Sequence, residues 1–242
     1  MTLRIAMWSG PRNISTAMMR AWENREDTCV IDEPFYAHYL DVTGLAHPGR
    51  DQVLASHERD ADRVAAELTG PIPGGADIFY QKHMAHHLLP GMDRQWMESV
   101  ANCFLIRNPN DMLLSLHART PSPSLEDTGL PQQVQLFNDT LASTGKVPPV
   151  LDARDVLCDP GQVLGVFCDR LGVDFAPAML AWPAGPRQSD GAWAPYWYDA
   201  VEASTGFSPW RERGESVPPE LLGLLEDCQA LYRQLHAHRL IP

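Results

Sequence analysis

The sequence predicts a doubly wound α/β fold, with a central, mostly parallel sheet between layers of helices. Three observations predict it. Apolar runs of strand length alternate with helical stretches along all 242 residues. The chain opens strand, turn, helix, as a parallel sheet does. No repeat, low-complexity tract or long linker divides it, so 1–242 reads as a single domain.

Residues 3–8 form an apolar run that ends in a Ser-Gly-Pro-Arg-Asn turn, and 15–25 follow as a helix with Ser15 and Thr16 at its start. A second strand at 28–34 ends on Asp32, Glu33 and Pro34. The stretch 41–56, with Gly44, Pro48 and Gly49, reads as a loop, and 57–68 as a charged amphipathic helix. Strands are expected at 77–84, 102–108 and 149–153. Helices are expected from Pro109, where a proline suits the first turn, and over 131–143, 160–171 and 218–237. A Pro/Ser-rich loop covers 120–124. The segment 181–217, rich in Trp, Pro and Gly, shows little periodicity, and its aromatic-rich part, 182–210, reads either as packed core or as a lid.

Composition narrows the function. A hydrophobic fraction of 44% with 21% charged residues excludes a disordered or fibrous chain. The net charge of −12 disfavours non-specific binding to nucleic acid or an anionic membrane. Only Lys82 and Lys146 are lysines; the other 17 basic residues are arginines. Arginine suits bidentate contact with phosphate or sulfate, and a high-GC genome produces the same bias. Five cysteines without a C-x-x-C pair, and no signal-like or membrane-length apolar segment, predict a soluble cytoplasmic protein.

Two strand-to-helix turns look built for anions. The first is Ser9-Gly10-Pro11-Arg12-Asn13-Ile14-Ser15-Thr16, where backbone N–H groups, two hydroxyls and one guanidinium converge. It lacks the Gly-Lys-Ser/Thr of a nucleoside-triphosphate loop. The second runs from Arg107 at the end of the fourth strand to Ser115, two turns into the next helix. Together they describe a nucleotide with phosphate groups at both ends.

These motifs resemble those of the PAPS-dependent sulfotransferases, which move a sulfuryl group from 3′-phosphoadenosine 5′-phosphosulfate (PAPS) to a hydroxyl or amine. The first turn is similar to that family's 5′-phosphosulfate loop, often written P-[KR]-S-G-T-T. The match implies cofactor contacts from Gly10, Pro11, Arg12, Asn13, Ile14, Ser15 and Thr16, with Arg12 at the bridging oxygen. Arg107 and Ser115 resemble the 3′-phosphate pair. Residues 149–175 are similar to the family's late strand-loop-helix, and Arg187 falls in a stretch like its late basic loop. The resemblance implies a P-loop NTPase-like three-layer fold, PAPS as donor, PAP as product, no metal, and a small-molecule acceptor. Ile14 stands where the family usually has glycine. A β-branched residue disfavours φ > 0, so the loop either keeps ordinary backbone angles or departs in geometry.

Sulfuryl transfer also needs a base. Glu33 resembles the glutamate that follows the second strand in families with arginine in the loop. His83 resembles the strand-end K-x-H of the cytosolic enzymes, with Gln81 in place of the lysine, and Lys82 beside it is a candidate cation for the sulfuryl oxygens. Either base is chemically sound. His83, His86 and His87 also form an H-x-x-H-H pattern, but no cysteine or further ligand motif accompanies it, and it would break the strand. Two other functions remain: a small-molecule kinase, with Asp32 as its Mg²⁺ ligand, and a non-catalytic nucleotide-binding module.

Overall fold

The computed structural model describes residues 2–120, 122–212 and 214–241; in the 120–124 loop, Pro121 lies outside the described residues. Five strands, β1 (Leu3–Ser9), β2 (Thr28–Asp32), β3 (Ile78–Met84), β4 (Ala101–Ile106) and β5 (Val150–Asp152), form one sheet in the order β2-β3-β1-β4-β5. Its pairs β2–β3 and β4–β5 are parallel. This is the helix-flanked parallel α/β sheet that the alternation of elements predicts. All seven residues of β3 are buried, as suits a strand covered on both faces. The β2–β3 register puts Asp32 directly opposite Lys82.

The helices are α1 (Ser15–Glu23), α2 (Tyr36–Thr43), α3 (Arg50–Ser56), α4 (Ala61–Thr69), α5 (Pro109–His117), α6 (Leu130–Thr144), α7 (Ala153–Cys158), α8 (Pro160–Leu171), α9 (Ala194–Trp197), α10 (Asp199–Glu202) and α11 (Leu222–His236). Two compact units share the chain. One takes the start of the chain through Met7, Thr16–Ala101 and Ala176–Phe207; the other takes Trp8–Ser15, Asn102–Phe175 and the chain from Ser208 onward.

In the first unit, a buried cluster packs Tyr36, Tyr39, Leu40 and Val53 against Trp193, Ala194 and Tyr198. Arg20, 1% exposed, pairs with Asp190 at 2.7 Å, and the Asn24 amide donates to the carbonyls of Ala178 and Ala181 at 2.7 Å. These contacts hold the irregular segment after residue 176. In the second unit, Met112, Leu113 and Leu116 of α5 pack with Leu130, Val217, Leu221 and Cys228. The Gln133 amide, fully buried on α6, donates to the carbonyls of both Trp8 and Leu105 at 3.0 Å. It thus fastens the end of β1 to the end of β4.

The structure corrects several local expectations. The stretch 41–56 is not all loop: α2 reaches Thr43 and α3 covers Arg50–Ser56. Gly44 caps α2 at φ 68 and Gly49 precedes α3 at φ 74, so the glycines bound helices here. With Val53 the one buried residue of α3, no apolar stripe advertises it. The charged helix begins later than expected, because the Asp60 side chain accepts from the amides of Asp62 and Arg63 and sets its start. Asp152 likewise caps α7, an element the sequence did not suggest. Trp182, Trp193 and Tyr198 of the aromatic-rich segment are 3%, 1% and 4% exposed, which makes these three rings interior.

Gln133→Leu is expected to lower unfolding free energy by about 1–3 kcal/mol in urea, because two buried carbonyls each lose a donor, Leu105 keeping the one from Asn13. Unchanged stability would mean that Gln133 does not hold the ends of β1 and β4.

Candidate active site

The chain leaves β1 through Gly10 and Pro11. A Cβ at Gly10 would run into the carbonyl oxygen of Thr128, so only glycine fits this approach. Arg12 then takes φ 63 and Ile14 φ 57, while Asn13 between them does not share the positive φ. Alternation of this kind turns successive N–H groups toward one concavity, an anion-binding nest. Ile14 therefore does not keep the ordinary backbone regions open to a β-branched residue. It adopts the left-handed conformation at a cost of about 1–2 kcal/mol. Among the described residues, Arg12, Ile14 and Glu33 are the three non-glycine positions at positive φ. All three belong to the predicted site.

Side chains brace this loop. The Arg12 Nε donates to Ser115 Oγ at 2.8 Å, and Arg107 Nη1 donates to the Arg12 carbonyl at 2.7 Å. The two predicted anion motifs, nearly a hundred residues apart in sequence, are thus bonded together. Asn13, 3% exposed, turns inward and donates to the Leu105 carbonyl at 3.2 Å, which anchors the loop to β4. Ser15 and Thr16 stand at the start of α1, whose first turn has no acidic residue to repel an anion. Arg187 lies in the first unit, where its guanidinium donates to the Pro183 carbonyl at 3.1 Å and its amide to Asp190.

The first unit holds the carboxylates. The Lys82 ammonium is fully buried and donates to Asp32 Oδ1 at 2.8 Å, Glu33 Oε1 at 2.6 Å and the Tyr198 hydroxyl at 2.6 Å. Its three protons are thereby committed, so the structure presents it as a brace for the carboxylates, not as a cation left over for a ligand. Tyr198 donates to Asp32 Oδ2 at 2.7 Å and accepts from Trp193 Nε1 at 3.1 Å. The Gly191 amide adds a third bond to Asp32 at 3.2 Å. The network that joins Asp32, Tyr198, Trp193 and Gly191 escaped sequence reasoning. An acid at a strand end and scattered aromatics carry no signal of a shared network.

Glu33 follows Asp32 at φ 38, and its amide donates to the Lys82 carbonyl at 2.9 Å. Its side chain keeps 11% of its surface open. Burial raises its pKa above the ordinary 4.5, with Lys82 opposing. For Lys82 burial works downward, but Asp32 and Glu33 outweigh it and hold the ammonium well above its ordinary value. His83 is enclosed, with Nε2 3.3 Å from Gln81 Oε1 and its ring between Phe35 at 5.8 Å and Trp96 at 5.7 Å. Burial lowers its pKa to about 3. His86 and His87 pack on Tyr39. No group of three or more His, Cys, Asp or Glu is placed to hold a metal ion among the described residues.

A family profile described as a sulfotransferase domain matches residues 3–236, so the chain belongs to the sulfotransferase-domain family. Two Arabidopsis thaliana proteins, branched-chain-amino-acid aminotransferase-like proteins 2 and 1, are 36% and 38% identical over 97% of the chain. The chain spans 41–42% of the length of these relatives. Among solved structures, a sulfotransferase from Alicyclobacillus acidocaldarius shares the fold with a TM-score of 0.58 at 15% identity, over 100% of this chain and 98% of that one. The sulfotransferase domain of the Synechococcus PCC 7002 olefin synthase has a TM-score of 0.52 at 16% identity, over 99% and 96%.

Lys82→Met is expected to destabilise the fold by about 3–5 kcal/mol near neutral pH, because two buried carboxylates lose their counter-ion. A carboxylate whose folded pKa is raised, as burial raises that of Glu33, gives stability that is full below its unfolded pKa and lost as pH rises through the folded value. The deficit relative to wild type should therefore shrink as pH falls toward 5, as read by urea unfolding. A deficit that is equal at pH 5 and 8 would contradict the pairing.

Proposed function

We propose that the chain transfers a sulfuryl group from PAPS to a hydroxyl or amine of a small-molecule acceptor. The observation that carries this reading is the bonded cluster of Arg12, Ser115 and Arg107 around a loop with left-handed turns at Arg12 and Ile14. The residues present fit the donor. The nest, Arg12 and the start of α1 offer N–H donors and positive charge to a phosphosulfate. Arg107, with Ser115 beside the loop, suits a second phosphate. PAPS supplies an activated sulfuryl group, and the protein's part is positioning, charge stabilisation and removal of one proton.

Glu33 is the base in this reading. Both oxygens of Asp32 are bonded, by Lys82, Tyr198 and the Gly191 amide, whereas Glu33 Oε2 lies outside the bond that Lys82 makes to Oε1. Burial moves its affinity for a proton upward, toward a useful range. His83 is the weaker candidate, since its enclosure against Phe35 and Trp96 and its low pKa leave it a poor proton acceptor. Ser15 and Thr16 remain the hydroxyl ligands of the donor, and Arg187 a proposed outer contact.

The kinase alternative is disfavoured because Asp32, its proposed Mg²⁺ ligand, is fully engaged. An aminotransferase reading, taken from the aminotransferase-like names of the Arabidopsis relatives, is disfavoured as well. Such chemistry needs a lysine amine free to form a Schiff base. Here Lys82 is held as a buried ammonium, and Lys146 is exposed. More than half of each relative lies outside the matched stretch.

A thermal shift tests the donor. PAP at a hundred times its Kd contributes about 2.7 kcal/mol. For a chain of this length that is a rise of roughly 5 to 10 °C. The rise is expected with PAP and not with Mg²⁺-ATP, and is lost in Arg107→Ala. A rise with Mg²⁺-ATP alone would favour the kinase, and none with either would sink nucleotide binding.

A further inference from the structure

Beside Glu33 lies a nitrogen that the sulfuryl-transfer reading leaves unused. His87 is 3% exposed. Its ring stacks on Tyr36 with centroids 4.7 Å apart and on Tyr39 at 4.7 Å, with His86 edge-on at 4.4 Å. These contacts fix the direction of Nδ1. That atom has no hydrogen-bond partner, and it sits 4.0 Å from Glu33 Oε2. The gap is too long for a direct hydrogen bond, and it suits one oxygen bonded to both atoms at about 2.8 Å. A buried nitrogen is rarely left unpaired, so this one calls for an occupant.

We propose that His87 Nδ1–H and Glu33 Oε2 together receive the acceptor's nucleophilic atom, and that the acceptor is a hydroxyl compound, an alcohol or phenol, not an amine. The proposal rests on Glu33 being the base. An ionised carboxylate only accepts, so the hydroxyl donates its single proton to Oε2. Nδ1 must then donate, to one of the oxygen's two lone pairs. The second lone pair attacks sulfur: an O–S bond forms, and the S–O bond to the donor's 5′-phosphate breaks. The electron pair leaves on PAP and the proton ends on Glu33. A neutral amine has two protons and one lone pair, so it could attack only with a bare Nδ1 accepting its second proton; the tautomer of His87 therefore separates the two acceptors. Burial, with His86 and His47 nearby, holds the His87 pKa well below its ordinary value, in keeping with a neutral ring.

Nitrogen-15 NMR of the histidine-labelled full chain at neutral pH reads the tautomer directly. The expected result is His87 protonated on Nδ1, with a resonance that moves in Glu33→Gln. A proton on Nε2 with a bare Nδ1, or a resonance indifferent to Glu33→Gln, overturns the proposal. The second readout uses sulfur-35-labelled PAPS with a mixture of primary alcohols, phenols and primary amines. Labelled products should be sulfate esters. His87→Phe keeps the ring stack without the donor and should reduce them by about tenfold or more, whereas His87→Asn, with an amide near Nδ1, should stay within about threefold of wild type. Sulfamates as the main product, or wild-type yield in His87→Phe, overturn it. PAP stabilisation of the same samples separates the two readings. The expected tautomer without PAP binding would sink sulfuryl transfer and the acceptor role of His87 with it, whereas PAP binding with the wrong tautomer would sink only the role of His87.

Discussion

A lysine buried without water must be surrounded by acceptors, and that requirement organises the first unit. Lys82 satisfies it with Asp32, Glu33 and Tyr198, each within 2.8 Å. The parallel register supplies the first partner, since Asp32 lies opposite Lys82 across β2 and β3. Chain direction supplies the second: Glu33 turns at φ 38 and returns its carboxylate to the same ammonium. Tyr198 draws in the segment after residue 176, where Trp193 Nε1 donates to the Tyr198 hydroxyl and the Gly191 amide to Asp32. Removing one member of such a network leaves a charge stranded, which costs more than the pair contributes as a whole.

The second unit is governed by backbone strain held in place by hydrogen bonds. Two non-glycine residues of the loop after β1 sit at positive φ. Strain of this kind persists only where the surroundings over-determine it. Here the bracing comes from Ser115, Arg107 and the inward amide of Asn13, with Gln133 fastening the strand ends behind them. The resulting loop keeps its N–H groups oriented before any ligand arrives. Preorganisation of that kind is what transfer of a charged group demands of a protein.

The strand-helix alternation was legible, and the two proposed anion motifs could be picked out, because each is local: a run of apolar residues, a turn, an arginine and serine eight residues apart. What escaped is non-local or unpatterned. Lys82 reads as a free cation in sequence because nothing there reveals Asp32 opposite it, or Tyr198, 116 residues on. His83 looks like a strand-end base until its ring is seen enclosed between Phe35 and Trp96. Ile14 carried a correct steric warning whose resolution, acceptance of the strain, depends on bracing from residues far along the chain. Helix α3 was invisible because a seven-residue helix that buries one side chain has no amphipathic stripe.

The central claim, sulfuryl transfer with Glu33 as the base, is tested most directly by following PAP release from PAPS across pH in wild type and Glu33→Gln. The wild-type rate should rise with pH through an ionisation above the ordinary 4.5 of glutamate. In Glu33→Gln the rate should be at least about a hundredfold lower throughout, with PAP still bound. A Glu33→Gln protein that matches the wild-type rate and keeps the same acidic limb would contradict the account.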